Sequence, residues 1–340
     1  MERKLEYYRL KEEITSITSD KLISLINNSK NKTKGWGENT IIEINKKNIF
    51  VKSIIITDLE YKNKYNTSNL YNLPLYYNYG IGSAGINCWR ELMTHIKTTN
   101  YVLNGHCLNF PLLYHYRIIE EENKNLIEYD LEYWNSNKNI KDYIDSKNKS
   151  KYKLLLFIEY FPNNLHAWLL ENENNINIFY NQSIKIIDFI NKNNIIHFDA
   201  HVDNFIVDSN NTIYLTDFGL VIDKDFDLNT IELNFYEKNK YYDYGNVCTI
   251  IYWYLYDKVE FYINNSNIQI DKTSYNIEVI LEKYDFIFDI YKIKKSQNLL
   301  FIIKIAKLYN KFINSLKKNK QKNDIFPNKE IEIILTLITK

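Results

Sequence analysis

The stretch that most constrains this chain is Ile195-Ile196-His197-Phe198-Asp199-Ala200-His201-Val202-Asp203-Asn204-Phe205, followed by Leu215-Thr216-Asp217-Phe218-Gly219. It sets Asp199, Asn204 and Asp217 at intervals of 204−199=5 and 217−204=13. Asp208-Ser209-Asn210-Asn211 supplies a turn between two short strands expected at 205–207 and 212–216. A fold built on this segment must present two carboxylates and a carboxamide from a loop, a short hairpin and a second loop. Such groups accept or orient a hydroxyl proton and ligate a hard cation through oxygen, which points to phosphoryl transfer.

The remainder of the chain divides by pattern. Residues 4–28 read as helix, ending in Asn27-Asn28-Ser29. Thr40–Ile44 and Ile49–Ile56 read as strands joined by Asn45-Lys46-Lys47-Asn48. Residues 58–80 lack periodicity and read as an insertion or extended loop. From about Ser83 to Thr98 a helix is expected, with Trp89, Leu92, Met93 and Ile96 on its apolar side. Strands are expected at 110–119 and 153–160, around a polar, disorder-prone stretch at 121–150. Helices follow at 165–171 and 178–193, and they dominate the chain beyond residue 216. A strand-rich first half and helix-rich second half meet near Phe161-Pro162-Asn163-Asn164.

Composition excludes some function classes. A net charge of +1 gives no electrostatic case for nucleic acid as a main partner. Cys88, Cys107 and Cys248 are far apart, with no zinc-type spacing, so reduced thiols are expected. The N-terminal Met1-Glu2-Arg3-Lys4 is unlike a signal peptide, and no apolar run approaches the ~18 residues of a spanning helix. The expectation is a soluble, cytoplasmic protein with no membrane span.

Together these residues resemble the protein-kinase-like superfamily, which also contains choline, aminoglycoside and lipopolysaccharide kinases. His197-Phe198-Asp199 resembles the His-x-Asp of its catalytic loop, Asn204 its second magnesium ligand, and Asp217-Phe218-Gly219 its Asp-Phe-Gly metal motif. The resemblance runs from roughly Gly35 to the helix near Asp243–Tyr256. It implies a two-lobed α+β fold, with a small β-rich lobe carrying one key helix and a larger, mainly helical lobe. Residues 1–30 would be a helical extension, 31–161 the first lobe with insertions near 58–80 and 121–150, and 162–340 the second. It also implies ATP and magnesium, with Asp199 orienting the acceptor hydroxyl and Asn204 and Asp217 ligating the metal. Lys52, on a strand and 52−37=15 residues past Gly37, takes the place of the lysine that reaches the phosphates. Glu91 is its expected partner, in a helical stripe with Ala84, Cys88 and His95. His197 has a structural role in the family, and Glu159 and Phe161 fall where the backbone of the family's hinge meets adenine.

Two glycine-rich segments compete to cover the nucleotide. Gly80-Ile81-Gly82-Ser83-Ala84-Gly85 has the letters of a dinucleotide fingerprint. Yet it follows a poor strand and no acidic residue ends a second strand about twenty residues on. It reads as a turn and helix start, and Gly35-Trp36-Gly37 is the better-placed cover.

Three departures bear on substrate. Phe198 replaces the arginine that regulated protein kinases pair with a phosphorylated loop. His201 replaces a lysine common two residues after the catalytic aspartate, and its imidazole is a candidate to touch the transferring phosphate. No Ala-Pro-Glu follows Gly219. The expected activity is that of a divergent Ser/Thr protein kinase. A small-molecule kinase is the alternative, with Asp285-Phe286-Ile287-Phe288-Asp289 as an acidic, aromatic candidate for its acceptor pocket. A silent nucleotide-binding module is the third reading, and Lys52, Asp199, Asn204 and Asp217 together argue against it.

Overall fold

The computed structural model describes residues 2–29, 32–33, 39–121, 126–130, 132–265, 297–320 and 325–338. Gly35, Gly37, Asp285 and Asp289 lie outside them. The chain is a mixed α+β protein. It divides into two compact units: one runs to Pro162 and includes His197–Asp199 and Tyr214–Tyr236, and the other comprises Asn163–Ile196, Ala200–Ile213 and Glu237–Lys340.

In the first unit the expected single helix is two, α1 (Glu2–Ser16) and α2 (Ser19–Asn28). Thr18 takes extended backbone as the N-cap of α2 and breaks the run. Strands β1 (Lys32–Thr33), β2 (Asn39–Ile44), β3 (Lys47–Ile56), β4 (Leu113–Glu120) and β5 (Tyr152–Glu159) form an antiparallel sheet of order β1-β2-β3-β5-β4. The β2–β3 turn is only Asn45-Lys46, both at positive φ (47° and 64°), the geometry whose twist matches a two-residue hairpin. Register sets Lys52 opposite Leu156 of β5 and Asn39 of β2.

Helix α4 (Cys88–Leu103) packs on this sheet, with Cys88, Trp89 and Leu92 against Ile56, Leu113, Leu154, Leu156 and Ile158. Met93, expected on that apolar side, is 37% exposed. At 100° per residue it falls outside the arc that Cys88, Leu92 and His95 turn inward. Residues 58–80 are more structured than their composition suggested. Thr57 and Glu60 form a reciprocal capping box that starts α3 (Asp58–Lys62), and Leu75–Asn78 make a 3-10 turn. The 121–150 stretch holds α5 (Lys138–Asn148), capped by Asn137 and burying Ile140, Tyr143 and Ile144. Three inward apolar residues suffice for a short amphipathic helix, and the polar outer face had masked them.

The second unit is largely helical. In it β6 (Asn163–Asn164) leads into α6 (Leu165–Glu171) and α7 (Asn175–Lys192), and β7 (Ile195–Ile196) precedes β8 (Phe205–Val207), which pairs antiparallel with β6. Then β9 (Ile213–Leu215), β10 (Ile222–Asp223) and α8 (Thr230–Lys238) carry the chain through the first unit to α9 (Tyr242–Asn265). Helix α9 packs on α7 and on α10 (Gln297–Lys318), which packs on α11 (Asn328–Ile338). Gly245 permits the α9–α10 approach, because a Cβ there would stand 2.3 Å from the Tyr309 ring. Among the described residues, no helix is long and apolar enough to cross a membrane.

Candidate functional site

Lys52 sits mid-strand in β3 with its side chain 11% exposed. Its Nζ lies 2.6 Å from Glu91 Oε1 on α4 and 2.8 Å from Asp217 Oδ1. Burial opposes the lysine's charge, but Asp217 and then Glu91 outweigh it and hold its pKa above the ordinary value. Burial also raises Glu91, against the downward pull of Lys52. Burial pushes Asp217 the same way, yet Lys52 prevails and brings it down to about 2. The Asp217 side chain is 43% exposed, so the carboxylate that Lys52 holds low also meets solvent on one side.

His197 ties the two chemical loops together. Its Nδ1 accepts the Asp199 N–H (3.2 Å), which places the proton on Nε2, 3.0 Å from the Thr216 carbonyl oxygen. The ring is fully buried, the structural role expected for it. Phe198 and Asp217 both sit at φ 64°, a region that costs a non-glycine residue on the order of 1–2 kcal/mol. Phe198 offsets that by burial, with its ring stacked on Phe235 at 5.3 Å and 18°. The left-handed backbone thus falls on Asp217 itself and on the residue before Asp199. Phe218 packs edge-on between His197 (5.5 Å) and His95 (4.7 Å). His95 shares the inward stripe of Cys88 and Glu91, whereas Ala84 precedes the helix. Among the described residues neither ring nitrogen of His95 has a hydrogen-bond partner, and burial, then the Lys52 charge, hold its pKa down to about 3.

The N-terminus of α4 is filled by the protein itself. Glu60 Oε1 accepts the Cys88 N–H (3.0 Å), Asn87 Oδ1 that of Trp89 (2.8 Å), and the Asn87 carbonyl that of Arg90 (3.1 Å). A phosphate therefore finds no donors there, and the segment before the glycines is a 3-10 turn rather than a strand. Gly80–Gly85 is not a dinucleotide loop.

The other expected site residues take varied places. In the second unit, Asn204 ends the 3-10 turn Val202–Asn204 and is 7% exposed. His201 is exposed and caps that turn by accepting the Asp203 N–H. Glu159 is engaged by Arg3, whose guanidinium reaches Oε2 at 2.6 Å and Oε1 at 2.9 Å. The Glu159 N–H goes to the Leu112 carbonyl (2.8 Å), so its backbone donor is committed within the sheet. Phe161 stacks on Tyr214 at 4.0 Å.

Sequence reasoning missed a set of ion pairs that fasten the segment after Gly219. Lys97 binds Asp223 (2.6 Å) and Asp225 (2.7 Å), and Arg90 binds Glu232 (2.7 Å) with both side chains buried. Thr67 gives its N–H and hydroxyl to Asp227 Oδ2 (3.1 and 2.9 Å). Partners this far apart in sequence leave no local signal. The Thr57-Asp58-Leu59-Glu60 capping box, by contrast, was readable.

No protein-family model matches the chain, and no curated protein matches it in sequence. Among the described residues, no three of His, Cys, Asp and Glu gather as a metal cage. The class of site is set by its own geometry: a strand lysine shared by a buried glutamate and a solvent-facing aspartate, with a second aspartate hydrogen-bonded to the histidine that joins the two loops.

Proposed function

We propose that the chain is an ATP- and magnesium-dependent phosphotransferase of protein-kinase-like, two-lobed fold, acting on a hydroxyl oriented by Asp199. The observation that carries this reading is the bonding of Lys52 to Glu91 and Asp217 together, residues 39 and 165 positions away. An ammonium has three donors, so two carboxylates leave one for a phosphate oxygen. Glu91 fixes the lysine and Asp217 remains anionic for a metal. Asp217 and Asn204 each offer oxygen donors, the type magnesium takes, and would be its protein ligands. Bound magnesium supplies neutralisation of charge on the phosphate oxygens. Asp199 accepts or orients the acceptor's proton, its loop tied by His197 to the one that carries Asp217.

The acceptor assigned first is a protein Ser or Thr hydroxyl, following the order of motifs and the helix-borne Glu91. A small-molecule alcohol is the second reading, and a specific observation favours it. The segment after Gly219, where protein kinases dock peptides, is fastened to α4 and Thr67 by ion pairs and hydrogen bonds. Labelled ATP with magnesium separates the two: label on generic protein acceptors supports the first, and label on an added amino alcohol the second. Absence of a magnesium–ATP thermal shift that Asp217→Ala abolishes would overturn both.

A further inference from the structure

The segment Gly80–Gly85 lacks the strand and the free helix N-terminus of a dinucleotide loop, yet the fold lays it along the loops of Asp199 and Gly219. A Cβ at Gly80 would stand 2.1 Å from Asp199 Oδ1, 3.2 Å from its Cγ and 3.3 Å from the Phe198 carbonyl oxygen. Just past the other end, the Ile86 N–H donates to the Gly219 carbonyl (3.2 Å). The segment is also held in place. Asn78 Nδ2 donates to the Leu220 carbonyl, the Tyr79 ring packs edge-on against Phe198 (5.8 Å) and Phe235 (5.3 Å), and the Tyr133 hydroxyl donates to the Ile81 carbonyl. Gly82 and Gly85 have positive φ and need glycine for backbone reasons, but Gly80 does not. At Gly80 glycine is needed for space, and the space is occupied by the carboxylate.

We infer that Gly80 is a positioning residue for Asp199, a backbone wall that restricts the carboxylate to the orientation facing the acceptor hydroxyl. This rests on the reading of Asp199 as the acceptor-orienting group. A side chain at position 80 must push the carboxylate aside or lift a loop clamped by Tyr79, Ile81 and Ile86. Misplacement of about 1 Å is enough to cost on the order of 10²-fold in rate. Lys52, Glu91 and Asp217 are left untouched.

The test uses Gly80→Ala in the full chain. The expected result is a fall of about 10²-fold in kcat for acceptor phosphorylation, with the KM for ATP and the magnesium–ATP thermal shift unchanged. A thermal-unfolding cycle reads the contact without activity: Gly80→Ala should lower Tm more in the wild-type background than in Asp199→Ala, where the obstructing carboxylate is gone and only the Phe198 carbonyl oxygen stays close, at 3.3 Å. If Gly80→Ala does not fold alone, folding restored by Asp199→Ala supports the inference, and failure in both backgrounds overturns it. Wild-type kcat in Gly80→Ala, or an equal Tm penalty in both backgrounds, also overturns it. A wild-type chain that transfers no phosphate would overturn the phosphotransferase reading and with it the catalytic role of Gly80, while the unfolding cycle still decides the contact.

Discussion

Replacing Lys52 by Met keeps most of the side chain's length and removes the cation that Glu91 and Asp217 share. Asp217 faces water on one side, so it can be hydrated again. Glu91 is 5% exposed and cannot. Its least costly response is to take up a proton. In the unfolded chain its carboxyl titrates near 4.5. Keeping it protonated at pH 7 therefore costs about 1.36 kcal/mol for each of 7−4.5=2.5 units, or about 3.4 kcal/mol, an upper limit on the deficit because burial already raises Glu91 in the wild type. That agrees with the ~3–5 kcal/mol seen when one partner of a buried pair is removed. The sign follows from proton counts. Above pH 4.5 the folded variant holds a proton that the unfolded chain has released, so its stability deficit grows with pH. At pH 5 the same sum gives about 0.7 kcal/mol, a difference of about 2.7 kcal/mol between pH 5 and pH 7. The Lys52–Asp217 attraction is lost as well. Asp217's depressed pKa stabilises the fold above its unfolded value of 3.8, and that benefit fades only as pH falls through about 2. Its loss is therefore a constant offset across the window. Urea unfolding followed by tryptophan fluorescence at pH 5, 6 and 7, wild type against Lys52→Met, measures the deficit. A deficit that does not change with pH, or one under about 1 kcal/mol at pH 7, would refute the burial of an ionised Glu91 on Lys52.

Two further variants probe the surroundings of the site. His95→Leu replaces a buried imidazole that has no hydrogen-bond partner among the described residues with an apolar side chain of similar size, and should raise stability by about 1–3 kcal/mol at neutral pH. The folded His95 stays neutral down to about 3, while the unfolded ring binds a proton below 6.5. Wild-type stability should therefore fall by up to ~1.4 kcal/mol per unit as pH drops below 6.5, and this component should be missing in His95→Leu, as acid titration of unfolding midpoints will show. Glu232→Ala strands the Arg90 guanidinium, which is completely buried, and should cost about 3–5 kcal/mol in urea unfolding. A loss below 1 kcal/mol would mean that the Arg90–Glu232 pair does not hold the segment.

The parts of the site visible in sequence were those fixed by local spacing. Asp199, Asn204 and Asp217 stood out because loop, hairpin and loop recur at set intervals, and Lys52 because its strand follows a readable turn. Glu91 was found through its helical stripe, although the helix begins at Cys88 and leaves Ala84 outside it. Other features depend on the folded chain alone. The hold of Arg3 on Glu159 spans 159−3=156 residues, and Lys97 meets Asp223 and Asp225 only after the chain has returned from the second unit. Gly80 could be seen as a glycine, but the carboxylate filling the space beside it could not. Helix α5 was obscured by its polar face, and α1 and α2 were merged because Ile17-Thr18 carries neither glycine nor proline to mark the break.

In the proposed phosphotransferase, Asp199 orients a hydroxyl toward an ATP phosphate held through Lys52 and Asp217. Its most direct test is transfer of the labelled γ-phosphate by the full chain with magnesium, measured beside Asp199→Asn with protein and amino-alcohol acceptors present. The expected result is magnesium-dependent label on one acceptor class and a loss of about 10²–10⁴-fold in Asp199→Asn, with ATP binding retained. Transfer at the wild-type rate in Asp199→Asn, or no magnesium–ATP binding by the wild-type chain, would contradict it.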